Sequence, residues 1–288
     1  MPNLYATLAE IRDVAPDALA ASITQYDQQF LRLSETISRW IDEYCYRHFY
    51  PVSETRYFYG TGDRDVFLDD LISVTTISYS EDDGDTYTAL TSSDYALMAG
   101  DDYNPRGSYN RVELSVNGDL ATWPEGQKAV KVVGVWGKTD LRGDAWEDTG
   151  DDVENNPLAA DGLSLTLNDV DGAGPWGMTP RISAGHLLRI ESEYVEVVST
   201  NTSGNTAAIV RARNGTAAAA HVQNTDVERW RVHPKVKQAC IIQAVHQFKR
   251  AQAGYADAEA MPDMGKMVHL KSIDPEVYDL LGNLRRMA

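Results

Sequence analysis

Cysteine is nearly missing from this 288-residue chain: Cys45 and Cys240 stand far apart. That argues against a disulfide framework, rules out a thiolate zinc cluster and makes a reducing assembly compartment the default. No run approaches the roughly 18–20 apolar residues that a helix needs to cross a bilayer, so insertion as a membrane helix is not expected. The opening MPNLYATLAEIRD lacks a basic region followed by an apolar run, and no signal peptide is expected. Positive charge is scarce too. There are 26 Lys and Arg against 43 Asp and Glu, a net charge of −17, which argues against a protein that reads or wraps nucleic acid through a basic footprint. It leaves room for a wall past which DNA slides, because like charge prevents sticking.

Catalytic signatures are also wanting. GTGDR at residues 60–64 has neither the spacing of a phosphate-binding loop nor a helix after it, and HExxH, CxxC and GxSxG do not occur. What is present is uneven charge. Residues 60–102 carry eleven acids and one base, Arg64, and residues 140–154 carry seven acids against Arg142. From residue 229 onward ten bases face six acids.

Periodicity divides the chain into helices, strands and helices again. Thr7 and Glu10, then Ser22 and Gln25, have capping-box spacing and predict two helix starts. In SETISRWIDEYCYRHFYP, residues 34–51, apolar positions recur at steps of three and four. With Phe30 and Leu33 they predict one amphipathic helix ended by Pro51. From Thr55 short β runs follow, RYFY, VFLDD, LISVTTISYS, YTAL, DYALM, RVELSV and AVKVVGVWG, without crossover helices between them. TDLRGDAWEDTGDDVENNP reads as an acidic loop. Four or five strands between residues 157 and 229 suit a small barrel or sandwich. His233-Pro234 opens a helix with Val236, Ala239, Cys240, Ala244, Val245 and Phe248 inward. Asp274-Pro275 opens a last one, with Leu280, Leu281 and Leu284 in its stripe and Arg285 and Arg286 at its end.

Chemistry-bearing groups are few. Alternation puts Glu191 and Glu193 on one strand face near His186, and His221 can approach them only through the fold. EDDGD at residues 81–85 and DTGDDVE at residues 148–154 are incomplete calcium loops. Tyr57, Phe58, Tyr59, Tyr95, Tyr103 and Tyr109 lie among acids rather than bases, so they are expected in cores or subunit contacts and not on a base-stacking platform. No metal or cofactor is expected.

The order of YATLAEIRD, SRWIDEYCYRHFYP, ETRYFYGTG, VFLDDLISVTTI, SSDYALM, VKVVGVWG and HPKVKQACIIQAVHQFKR resembles the tailed-bacteriophage head–tail connector family, the head completion adaptors. The likeness covers a little over half the chain. It implies a structural virion protein without an active site, assembled in the host cytoplasm and placed at the head–tail junction. It implies a ring of about twelve subunits beneath the portal protein that extends the DNA channel and offers a surface to stopper or tail-completion proteins. DNA would pass without specific binding, and no membrane would be involved. The segment that contacts the portal would be residues 274–288, through Leu280, Leu281, Leu284, Arg285 and Arg286. Residues 139–228 depart from simple members of that family. Their GHLLRIESEYVEVVST and RARNGTAAAAHVQNTDVE are similar to small β modules of phage structural proteins.

The expected fold class is α+β, a helical-bundle core built from both chain ends, with β-strand loops and an inserted small β-barrel or sandwich. The expected divisions are an adaptor core at 1–138, an acidic linker at 139–156, an inserted β domain at 157–229, a core helix at 230–254, a loose segment at 255–273 and a docking helix at 274–288. Leu33, Ile37, Trp40, Ile41 and Tyr44 are expected to pack on Val236, Cys240, Val245 and Phe248, with Trp40 fully buried. Asp82, Asp83, Asp85, Asp101, Asp102, Asp151 and Asp152 are the candidates to line or rim a channel. Two other readings stay open, a tail-side or baseplate binding module and a carbohydrate-acting hydrolase with an Asp/Glu pair.

Overall fold

The computed structural model describes residues 3–14, 24–99, 104–175, 177–252, 258–261, 266–269 and 272–286. They fall into two compact units. One takes Arg47–Trp146 with Asn214–Thr216; the other takes Met1–Tyr46, Glu147–Arg213 and Ala217–Ala288.

The first unit is one six-stranded antiparallel sheet. Its strands are β1 (Val52–Gly60), β2 (Asp65–Tyr79), β3 (Thr88–Ala89), β4 (Tyr95–Ala99), β5 (Tyr109–Leu114) and β6 (Gly126–Trp136). They run in the order β1-β6-β2-β5-β4, with β3 on the side of β2. Alternation along β6 sends Val130, Val132 and Trp136 into a core with Leu68, Leu71, Ile77, Val112, Leu114 and Trp123, the period-two signal of a half-buried strand. Both buried indoles have acceptors: Trp123 Nε1 donates to the Arg64 carbonyl at 3.1 Å and Trp136 Nε1 to that of Glu54 at 3.0 Å. Residues 214–216 lie against the edge of β1, where Ser53 N–H donates to the Asn214 carbonyl at 2.8 Å. Gly215 has φ +83°, and a Cβ there would sit 2.1 Å from the Ser53 carbonyl oxygen, so only glycine fits.

The second unit combines helices with the other six-stranded sheet. It holds α1 (Leu8–Val14), α2 (Asp27–Cys45), β7 (Trp146–Asp152), β8 (Ser164–Thr166), β9 (Leu187–Ile190), β10 (Glu193–Asn201), β11 (Thr206–Val210), β12 (Asp226–Trp230), α3 (Pro234–Gln252), the hairpin β13 (Ala258–Met261) and β14 (Lys266–His269), and α4 (Pro275–Leu281). Strand order is β7-β12-β9-β10-β11-β8. Leu165, Leu188, Ile190, Val195, Val197, Ile209 and Val227 are among those that fill its core. Both legible caps form. Thr7 N–H donates to Glu10 Oε2 at 2.8 Å while Glu10 N–H donates to Thr7 Oγ1 at 3.3 Å. Asp274 Oδ1 accepts from Glu276 N–H at 2.9 Å, with Pro275 in the first turn. Ser22, of the other box, lies outside the described residues.

A helical-bundle core is not what the chain builds. The described residues are mostly β, two antiparallel sheets of six strands with four helices, two of them only seven residues long. The reason is where the apolar residues go: the large clusters belong to the sheets. Helices α2 and α3 do pack together, with the Phe30 and Phe248 rings 4.7 Å apart. They form a layer in the same unit as the second sheet; Leu4, Leu31 and Ala184 cluster there, and Leu8 N–H donates to the Ala184 carbonyl at 3.3 Å.

The stretch read as an acidic linker contains β7. One of its acids, Glu147, is paired far along the sequence, with Arg229 Nε at 3.0 Å and Arg231 at 3.6 Å. A charge run with such partners is a strand and not a solvated loop. The segment read as loose holds the β13–β14 hairpin.

Candidate interaction site

The face of α2 that meets α3 is Phe30, Ser34, Ile37, Ser38, Ile41 and Cys45, all buried. Ser34 Oγ donates to the Ala6 carbonyl at 2.7 Å and Ser38 Oγ to the Ser34 carbonyl at 2.6 Å. With their hydroxyls satisfied, these small side chains admit Cys240, whose Sγ lies 3.7 and 3.8 Å from the two oxygens. Val236, Cys240, Val245 and Phe248 are buried as well. Leu33, Trp40 and Tyr44, expected in this contact, are half-buried. Trp40 is therefore not a core anchor. The stripe sits one position further round the helix than apolar spacing alone suggests, because serines carry part of it.

Rotated off that contact, Trp40 and Tyr44 make a second aromatic surface. Their rings stack 5.3 Å apart, and Tyr278 of α4 sets its edge on both at 6.0 and 5.5 Å. The Arg285 guanidinium lies 4.8 Å over Tyr44 and 5.9 Å from Tyr46, while its Nε donates to the Tyr44 carbonyl at 3.1 Å. Arg286 N–H donates to the Cys45 carbonyl at 2.9 Å. Tyr46, the left-handed residue that ends α2 at φ 53°, is 67% exposed, and Tyr278 is 41% exposed. Tyr, Trp and Arg are the residue types that dominate binding energy at protein interfaces, and the Arg285 cation is attracted to the ring faces it covers.

The docking residues expected in α4 are placed differently. Leu281 and Leu284 are buried inside the chain beside Val277, and Leu280 is half-buried. A seven-residue helix cannot stand alone, so its stripe is used against its own chain. What it presents outward is Tyr278, with exposed Arg285 and Arg286 beyond it. Sequence periodicity had no means of finding Tyr46 or Tyr278, which lie off every stripe.

The acidic candidates do not form one site. Asp82, Asp83 and Asp85 are exposed in the first unit. The Ser80 and Thr86 hydroxyls and the Thr86 amide hold the Asp82 carboxyl down to about 2. Asp151 is no surface group. Its side chain is fully buried and accepts from the amides of Asp152, Asn168 and Asp169 at 2.9, 2.7 and 2.9 Å and from Arg181 at 3.1 Å. Asp152 is raised above the usual carboxylate range, by burial and then by Asp226 and Asp151. Asp101 and Asp102 lie outside the described residues, as does Tyr103.

His186 is not brought to Glu191 and Glu193. It lines a cleft of about 350 Å³ with Thr7, Glu10, Asp13, Met178 and Pro180. Burial pushes it down to about 4 against the pull of Glu10. In the same cleft burial disfavours the Glu10 carboxylate, but Lys237, 2.6 Å away, and then His186 outweigh it, so Glu10 stays below its ordinary value. His221 does reach the two glutamates, 2.7 Å from Glu191 and 2.9 Å from Glu193. Among the described residues no group of His, Cys, Asp and Glu has the arrangement to hold a metal ion, and no helix is long and apolar enough to cross a membrane.

No protein-family model matches this chain, and no curated protein matches it.

Proposed function

We propose that the chain is a structural virion protein, a head-to-tail connector adaptor that forms a ring beneath the portal, extends the DNA channel and receives stopper or tail proteins. The observation that carries this reading is the joining of sequence-distant segments on α2. Phe248 packs on Phe30, Tyr278 on Trp40 and Tyr44, and Arg285 on Tyr44 and Tyr46. Residues 38–46 of the first block that carries the resemblance, SRWIDEYCYRHFYP, and the block HPKVKQACIIQAVHQFKR are thereby neighbours in one unit. The outward Tyr46, Tyr278 and Arg285 are the portal-facing contact, in place of a leucine stripe that is already buried. Exposed Asp82, Asp83 and Asp85 are the acids that remain available to a channel wall, where they would lower friction with DNA. A ring of about twelve copies and non-specific passage of DNA belong to the same proposal.

Electron microscopy of the protein mixed with its cognate portal tests it. The expected result is a ring of added density under the portal, lost in the Tyr46→Ala, Tyr278→Ala, Arg285→Ala triple variant while circular dichroism stays unchanged. Failure of the folded wild type to bind portal at micromolar concentration, with binding to isolated tails instead, would replace this reading by that of a tail-side or baseplate module.

A further inference from the structure

Glu193 opens β10 with a fully buried side chain and accepts five hydrogen bonds. Arg211 Nε and Ala212 N–H reach Oε1 at 2.7 and 3.0 Å. Arg211 Nη2, Ala219 N–H and His221 Nε2 reach Oε2 at 2.6, 3.0 and 2.9 Å. The five donors come from four residues, Arg211, Ala212, Ala219 and His221, and beside His221 the exposed Ala217, Ala218, Ala219 and Ala220 offer no side chain beyond a methyl for packing. The other ring nitrogen, His221 Nδ1, lies 2.7 Å from Glu191 Oε2. The ring is 1% exposed, and the Glu191 side chain is 60% exposed.

Both ring nitrogens thus face carboxylate oxygens. A neutral imidazole has one N–H and one bare lone pair, and a lone pair aimed at a carboxylate repels it. Only the doubly protonated ring satisfies both contacts. With it the cluster balances, Arg211 and His221 against Glu191 and Glu193.

The backbone adds an independent sign. Ile190 pairs with Glu193, so Glu191 and Ser192 form a two-residue hairpin turn. Glu191 takes φ 55°, at the position where such turns favour glycine. Ala212, the next residue after Arg211, is also left-handed at φ 53°. Two non-glycine residues in this region are costly, and both are bound to the cluster, Glu191 through its carboxylate and Ala212 through its amide.

We propose that His221 is an imidazolium that latches Arg211, Ala212 and residues 217–221 onto the β9–β10 hairpin, and that loss of its proton loosens these residues. The groups facing the ring are Glu191 from the β9–β10 turn, Glu193 from β10 and Arg211 from the end of β11. Leu158 pairs with His221 through backbone hydrogen bonds at 2.9 and 3.0 Å. On deprotonation Nδ1 is bared to Glu191, which turns out to solvent, while Glu193 is held by Arg211 and the two amides. The strained turn then has no contact to offset it, and the alanine segment is held at fewer points. The latch is closed while both ring nitrogens carry hydrogens and is lost when the ring gives one up. The device is independent of the connector reading.

Nitrogen-15 NMR of the histidine-labelled full chain, with amide exchange corrected for its intrinsic base dependence, tests the latch. Near pH 6 both His221 ring nitrogens should carry hydrogens, and the protection of the Ala212 and Ala219 amides should fall by about tenfold or more toward pH 9. Glu191→Gln should shift that loosening to lower pH, and His221→Gln should make protection independent of pH. A singly protonated ring near pH 6, or wild-type protection that does not change over the range, would overturn the proposal.

Discussion

The two six-stranded sheets solve the same problem with different materials. The β1–β6 sheet encloses two fully buried tryptophans, and its buried polar residues are serines, a threonine and Asp94, which caps the Thr91 turn. The β7–β12 sheet surrounds its apolar core with buried charge: Asp151, Glu193, Glu196, His221 and Arg229 are each less than 9% exposed. Apolar packing is non-directional and tolerates change with graded losses. A buried ion with several donors fixes one arrangement of loops, but it is destabilising as soon as a partner is removed. Between pH 6 and pH 9 the core of the first sheet is expected to respond less to pH than that of the second.

Matched truncations give the sharpest test. Trp136→Ala should cost about 3–5 kcal/mol through its cavity, equally at pH 6 and pH 9. Glu193→Ala should cost about 3–5 kcal/mol by stranding Arg211 and His221, and the stability of the wild type relative to it should vary with pH. Urea denaturation at both pH values measures the two. A Glu193→Ala loss below about 1 kcal/mol would end the distinction between the sheets.

The helices of the second unit carry a further pH signal. Burial raises the Asp42 carboxyl to about 7, opposed by Tyr5 and Arg39 and reinforced by Glu43. The folded value lies above the unfolded one, so the folded state holds a proton that the unfolded chain releases. Asp42's own contribution to stability is therefore greatest below about pH 4 and falls as pH rises to about 7, by on the order of 3 kcal/mol. Asp42→Asn should remove this part of the slope in thermal melts. Asp151→Asn should follow with a loss of about 2 kcal/mol, since an amide nitrogen would meet the Asp169 N–H or Arg181 donor-to-donor. The smallest effect belongs to Trp40→Ala. Half-buried as it is, the indole should cost about 1–2 kcal/mol, and a loss of 4 kcal/mol would return it to the core.

What could be read from the sequence was local. Alternation in AVKVVGVWG and the polar–apolar pairing in Thr7–Glu10 and Asp274–Pro275 are short-range signals, and strand β6 and both caps follow them. The α2 stripe was misjudged by one position because Ser34 and Ser38 count as polar in any scale, while their hydroxyls are satisfied within the unit. The fold class differs because the strands, legible as they are, read as loops on a helical core, whereas they hold the larger cores. The acidic β7 was hidden because Arg229 and Arg231 lie about eighty residues on. Of the Glu193 cluster the sequence shows only the Glu191–Glu193 alternation, with Arg211 and His221 some twenty to thirty residues on. Only pairing of β9 with β10, and the path back through residues 211–221, assemble it.

Helix α2 is gripped at both faces by segments from opposite ends of the chain. Tyr5 N–H donates to Ser38 Oγ at 3.0 Å, Arg39 donates to the Asn3 carbonyl at 3.0 Å, and Arg285 and Arg286 bond the last carbonyls of the helix. A ribosome delivers these pieces in order, so α2 emerges early and must wait for residue 286 before its surroundings are complete. Such long-range closure is slow and leaves apolar surface open meanwhile. During synthesis this unit should be the one that chaperones hold, and nascent chains stalled before α3 should remain sensitive to protease throughout residues 24–46.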